Sequence, residues 1–239
     1  MSRAADHDRV RRSYDTVAET YRERIGVELA AKPLDRALLA ALVEGVGDGP
    51  VADLGCGPGH VAAWLAERGL PTVGVDLSPA MVAAGRCAYP GVEFREGDLL
   101  SLPAADGEFG AAVALYSVIH LRRTELRPAF VEMRRVLRPG GVLLVAFHVG
   151  AEVRRLTDWW GHEVDVDFHF FEVETVAGAL REAGFIEEAR LERAHHPQEA
   201  ETQRCYLLVR RPDQQPRQET ESQASSRADV SGAAARVRR

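Results

Sequence analysis

Between residues 50 and 150, short apolar runs rich in valine and leucine alternate with longer segments of helical period. Alternation of this kind is the pattern of a parallel sheet covered on both faces by helices. It predicts strands at 50–54, 72–76, 92–96, 110–116 and 141–148. Helix signals fill the gaps: Pro58 and Pro79 suit first helical positions, Ser78 suits a cap, and Gly69 and Gly140 are expected to follow helix ends. Upstream, Tyr14, Val17, Ala18 and Tyr21 fall at i, i+3, i+4 and i+7, which predicts an amphipathic helix, with a second from about Pro33 to Val43. Downstream the pattern changes. An aromatic and histidine-rich stretch from Thr157 to Phe171 leads into a helix expected at 173–183 and ended by Gly184. Extended segments at 185–194 and 203–210 are close enough in sequence to pair antiparallel at the sheet edge. The pattern gives one α/β domain at 1–211, with a helical cap at 1–45, a core at 50–150 and an insertion at 151–172. Residues 212–239 have no aromatic side chain and are rich in Gln, Ser, Ala and Arg, so they are expected to form a disordered tail.

Composition narrows the partners. With 36 acidic against 30 basic residues, the formal charge of −6 provides no basic field for nucleic acid or an anionic membrane, so a small-molecule partner is expected. Oligomeric state stays open between monomer and homodimer. Cys56, Cys87 and Cys205 are odd in number and lack C-x-x-C spacing, which argues against a disulfide framework and a cysteine zinc site. A reducing, cytoplasmic setting follows, because the polar N-terminus does not read as a secretory signal and no apolar run reaches the ~18 residues of a membrane span.

The chemistry concentrates in Val51-Ala52-Asp53-Leu54-Gly55-Cys56-Gly57-Pro58-Gly59-His60, a buried strand running into a glycine turn and a helix. Gly55, Gly57 and Gly59 free the turn from Cβ atoms, which permits unusual dihedrals and close approach of a ligand to the backbone. A dinucleotide fingerprint would carry Gly or Ala where His60 stands, and Asp53 would repel a pyrophosphate. Asp76 lies 21 residues beyond Gly55 at a strand end, the spacing of a carboxylate that accepts from ribose hydroxyls. Asp98 follows the third strand and is placed to accept from an adenine amine.

These motifs resemble those of the class I S-adenosylmethionine-dependent methyltransferases, in the broad methyltransferase-11 and methyltransferase-25 groups of small bacterial enzymes. The likeness rests on Val51 to Gly59, Val75-Asp76-Leu77-Ser78, Gly97-Asp98 and Leu137-Arg138-Pro139-Gly140-Gly141, and spans roughly residues 10–210. It implies a doubly wound, Rossmann-like, seven-stranded sheet, mostly parallel with one antiparallel edge strand. S-adenosyl-L-methionine would lie across the carboxyl ends of the first strands and leave as S-adenosyl-L-homocysteine. Asp53, Gly55, Gly57 and Gly59 would then hold the methionine part, Asp76 with Leu77 the ribose, and Met81, Asp98 and Leu99 the adenine. Tyr14 and Tyr21 on the leading helix would cover the cofactor, and Tyr116 would border it. Gly110 departs from the family's usual Asp after Phe109, with an expected effect on local stability only.

A sulfonium methyl is already electrophilic, so the protein must chiefly align a nucleophile and exclude water. His120, after the fourth strand, is the candidate general base; its other reading is a histidine that caps a helix or bonds a backbone carbonyl. His148 and the cluster Trp159, Trp160, His162 and His169 are candidate substrate contacts, or else they pack the insertion against the sheet. No H-E-x-x-H spacing occurs, so no metal is expected. The expected activity is methyl transfer to an O, N or C atom of a small molecule. The alternatives are a non-catalytic S-adenosylmethionine sensor or scaffold, and a nicotinamide-dependent dehydrogenase.

Overall fold

The computed structural model describes residues 3–46, 48–197 and 199–213. Most of the 212–239 segment therefore lies outside the described residues, and with it the expectation of a disordered tail. The chain opens with helix α1 (Arg3–Ile25), a 3₁₀ turn (Glu28–Ala31) and α2 (Pro33–Gly45). The alternating core follows as β1 (Val51–Leu54), α3 (His60–Ala66), β2 (Thr72–Asp76), α4 (Pro79–Ala88), β3 (Glu93–Glu96) and β4 (Phe109–Leu115). It continues through a 3₁₀ turn (Val118–His120), α5 (Arg123–Val136) and β5 (Leu137–Val149). Strands β6 (Val153–Trp159) and β7 (His162–His169) come next, then α6 (Val173–Glu182), β8 (Ile186–Arg193) and β9 (Gln203–Arg210).

Seven strands form one sheet in the order β3-β2-β1-β4-β5-β9-β8. The first five run parallel; β9 pairs antiparallel with β5 on one side and with the edge strand β8 on the other. Both faces of the centre are buried, as the continuous apolar runs require: Val51, Ala52, Leu54 and Ala111 to Ala114 are all inaccessible. One face packs α5 and α6 through Leu126, Phe130, Met133, Val176 and Leu180, and the other packs α2 and α3 through Leu39, Leu42, Val61 and Leu65. Strand order reverses between β1 and β4, and a crevice opens at that point beyond the carboxyl ends of the strands, where open α/β sheets bind ligands.

Two local expectations are corrected. Pro58 belongs to the turn, because α3 starts at His60 with Gly59 as its cap residue. Gly140 follows no helix; it sits inside β5, where its N–H donates to the Arg211 carbonyl. The 150–172 insertion is a two-stranded hairpin, β6–β7, separate from the main sheet. It packs on α1: Val164 and Val166 are buried with Val10, Val17 and Ala18, while Arg9 bridges Asp165 at 2.9 Å and Asp167 at 2.5 Å. Helix α1 roofs the crevice through His7, Val10, Tyr14 and Tyr21, and the hairpin packs against α1.

Candidate functional site

The first three strands each bring one acid to the crevice: Asp53, Asp76 and Asp98. Gly55 follows β1 at φ +77, and a Cβ there would strike Ser117, so only glycine allows the two strand ends to approach. The turn's N–H groups are already engaged: Gly55 and Cys56 donate to the Val75 carbonyl, Gly59 to the Cys56 carbonyl, and Gly57 to Asp76 Oδ2 at 2.7 Å. The loop therefore offers room for a ligand and not a nest of free donors for phosphate. Asp76 also accepts from the Ser78 N–H at 2.9 Å, and burial raises its pKa to about 6. Asp53 is 2% exposed and accepts from the Ala62 N–H at 3.0 Å, capping α3 from the strand in place of a side chain at Gly59. Burial pushes its pKa up to about 7. Asp98 accepts from the Leu100 N–H and meets His7 Nδ1 at 2.8 Å.

One cavity gathers Tyr14, Tyr21, Asp53, Gly55, Gly57, Asp76, Leu77, Asp98, Leu99, Tyr116 and His120. Two expected cofactor residues lie behind it. Met81 is fully buried against Tyr14 and Tyr21, and Gly59 abuts the Phe94 ring. The expected substrate residues do not line this cavity. Trp159 packs edge-on to Tyr14 at 5.4 Å and Tyr21 at 5.7 Å, Trp160 tilts over Tyr21, and His162 bonds Thr20, so these side chains fasten the hairpin to α1. His148 stacks on Phe170 and stands 5.1 Å from the Tyr116 ring. His169 lines a second cavity with Arg9, Arg122, Glu125, Arg155 and Asp167, which shares Val10 and His120 with the first.

His120 is bonded at both nitrogens. Its Nδ1 lies 3.1 Å from the Asp167 carbonyl oxygen, which only accepts, so Nδ1 carries the proton. Nε2 therefore presents its lone pair to the Tyr14 hydroxyl at 2.7 Å. Burial holds the His120 pKa down at about 4 and lifts that of Tyr14, so the imidazole is neutral and the phenol protonated near pH 7. Both sequence readings of His120 meet here: it bonds a backbone carbonyl and it faces the cavity.

The α1–α2 connection supplies groups that the motif reading passed over. Glu28, Lys32, Asp35 and His60 line the same cavity. Lys32 Nζ meets Glu28 at 2.8 Å, and Glu28 lies 3.6 Å from His60 Nε2. Burial alone would raise the Glu28 pKa, but His60 and Lys32 hold it low. Ser117 Oγ and His60 Nδ1 are buried there without a hydrogen-bond partner, the condition of groups that await a polar ligand. Five carboxylates (Glu28, Asp35, Asp53, Asp76 and Asp98) line the cavity against the single ammonium of Lys32, a balance that favours a cationic occupant. The polar spacing Glu28, Lys32, Asp35 was a helix-face signal, but only the tertiary fold brings it to the sheet end.

Residues 51–141 match the family model of a methyltransferase domain. A demethylmenaquinone methyltransferase of Beutenbergia cavernae is 36% identical over 139 residues, covering 56% of this chain and 55% of its own. A probable S-adenosylmethionine-dependent methyltransferase of Mycolicibacterium smegmatis is 33% identical over 167 residues, covering 60% of this chain and 64% of its own. The chain thus spans between about half and two thirds of the length of these curated relatives. Among solved structures, the 1,6-didemethyltoxoflavin-N1-methyltransferase of Burkholderia thailandensis, with its acceptor and S-adenosylhomocysteine bound, superposes with a TM-score of 0.69 at 19% identity, covering 89% of this chain and 92% of that one. That likeness establishes the fold.

Proposed function

We propose that this chain, whose residues 51–141 form a methyltransferase domain, transfers a methyl group from S-adenosyl-L-methionine to an O, N or C atom of a small molecule. The observation that carries the reading is the cavity at the switch point, with five carboxylates against one ammonium, glycines at the turn and an acid near the carboxyl end of each of the first three strands. Asp76 would accept from the ribose hydroxyls, and Asp98 with Leu99 would border the adenine. The partnerless Ser117 Oγ and His60 Nδ1, with Lys32 and Glu28, suit the charged amino and carboxylate ends of a methionine tail. The bound cofactor would supply an electrophilic methyl on a cationic sulfur.

The protein's own work is then orientation, exclusion of water and disposal of one proton. Tyr14 and Tyr21 roof the cavity and exclude water, held in place by the β6–β7 hairpin packed against α1. An acceptor hydroxyl that donates to Tyr14 Oη would lose its proton along the bond from Tyr14 to His120 Nε2, while the Asp167 carbonyl fixes the tautomer. The −6 charge and the named substrates of the relatives support a small molecule over nucleic acid, and three free cysteines agree with work in a reducing cytoplasm. Incubation with methyl-labelled cofactor and a cell extract tests the proposal. Label in a small product is expected; label in protein or RNA overturns the substrate class, and binding without transfer leaves a sensor. Tight NADH binding in place of S-adenosylhomocysteine would make the chain a dehydrogenase.

A further inference from the structure

Tyr116 ends β4 at φ +56, in the left-handed region that strains a bulky side chain and that persists where surroundings over-determine it. Its surroundings do. The ring lies 5.5 Å from the Lys32 ammonium and 5.1 Å from the His148 ring, and its hydroxyl is 2.7 Å from that of Tyr206. Tyr206 is 1% exposed and Asp35 3% exposed, and Arg193 reaches both.

Proton positions in this chain follow from the kinds of group present. Arg193 only donates, and it gives a bond of 2.8 Å to Tyr206 Oη. Asp35, salt-bridged to Arg193, only accepts, and it takes the single Tyr206 proton. Burial raises the pKa of both phenols, so each keeps its proton. The bond between the two tyrosines can then run only one way, from Tyr116 to Tyr206. Tyr116 Oη has no proton left to give and keeps a lone pair. Tyr116 and Asp35, the two ends of this hydrogen-bond relay, both line the cavity.

Position in the sheet indicates whose donor is read there. Asp76 and Asp98 lie on the β2–β3 side of β1, whereas Tyr116 ends β4 and backs onto His148 of β5 and Tyr206 of β9. A nucleoside over β2 and β3 leaves the β4–β5 side to the methyl acceptor. We propose that Tyr116 determines acceptor specificity by accepting a hydrogen bond from an O–H or N–H group on the acceptor, with Tyr206, Asp35 and Arg193 as positioning residues that deny it the donor role. This rests on the methyltransferase reading above.

Sinefungin, which carries an amine on carbon in place of the methylsulfonium, supplies an N–H donor at the transfer position and needs no knowledge of the acceptor. Calorimetric titration of the full chain compares it with S-adenosylhomocysteine, which lacks that donor. The wild type is expected to bind sinefungin more tightly. Tyr116→Phe is expected to cut that preference about 10-fold. Tyr116→Asn, which tolerates the left-handed backbone but lacks the phenol, should behave alike and serves if the Phe variant does not fold. An unchanged preference overturns the proposal. Equal loss of both ligands also overturns it, since the contact would then be to the methionine ammonium. A wild type that binds neither ligand removes the methyltransferase reading and this proposal together.

Discussion

Asp76 is an architectural residue that also lines the cavity, since its carboxylate receives the Gly57 and Ser78 N–H groups; under the proposed function it would bind the ribose as well. Asp76→Ala is expected to weaken S-adenosylhomocysteine binding by at least about 30-fold, read by calorimetry, since charge-assisted hydrogen bonds are lost on the ligand and on the loop. The pH dependence follows from burial. Asp76 at about 6 and Asp53 at about 7 are raised above ordinary carboxylates, so the folded chain holds more protons than the unfolded one between about pH 4 and 7. Their contribution to stability is full below that window and is lost as pH rises through it. Ligand binding should move the other way, because ribose hydroxyls donate more strongly to an ionised acid than to a protonated one. S-adenosylhomocysteine is expected to bind about 3- to 10-fold more tightly at pH 8 than at pH 5.5, and Asp76→Asn should flatten the profile. At this scale Asp53, Asp76 and Asp98 were legible, because spacing from a glycine turn is a local property. Glu28, Lys32 and His60 were not, since their meeting depends on how α1 and α2 fold back over β1.

Many polar ties join the elements, and individual ties can be cut singly. Ser78 caps α4 through Met81 N–H at 3.1 Å and donates to Asp15 on α1 at 2.6 Å. Ser78→Ala is expected to cost about 1 kcal/mol or slightly more in chemical unfolding, the cap and the tie lost together. Arg9 holds the hairpin through Asp165 and Asp167, so Arg9→Met should loosen β7 locally by about 1–3 kcal/mol, seen as faster amide exchange in β6–β7 and slower exchange elsewhere unchanged. The core strands were legible because burial on both faces leaves continuous apolar runs. The hairpin carried its own signal: Val164, Val166 and Phe168 alternate with Glu163, Asp165 and Asp167, and Trp160-Gly161 makes the turn at positive φ. The density of aromatic and histidine side chains drew attention to a pocket, whereas most of them serve packing on α1.

At the scale of the molecule, the doubly wound sheet sets the site before any side chain is chosen: the reversal between β1 and β4 opens one crevice, and α1, backed by the β6–β7 hairpin, covers it. Fold and cavity location could be read from strand alternation and the glycine turn. The proposed acceptor side could not, because Tyr116, Tyr206 and Asp35 come from the end of β4, from β9 and from α2 and share no sequence neighbourhood. A ligand bound only by the folded state stabilises it by about 2.7 kcal/mol at a hundredfold excess over Kd, so S-adenosylhomocysteine should raise the melting temperature measurably and NADH should not. The most direct measurement is isothermal titration of the full chain with S-adenosylhomocysteine. The account predicts saturable binding at one site per chain, lost in Asp76→Ala; absence of binding, or equal binding by wild type and that variant, would contradict it.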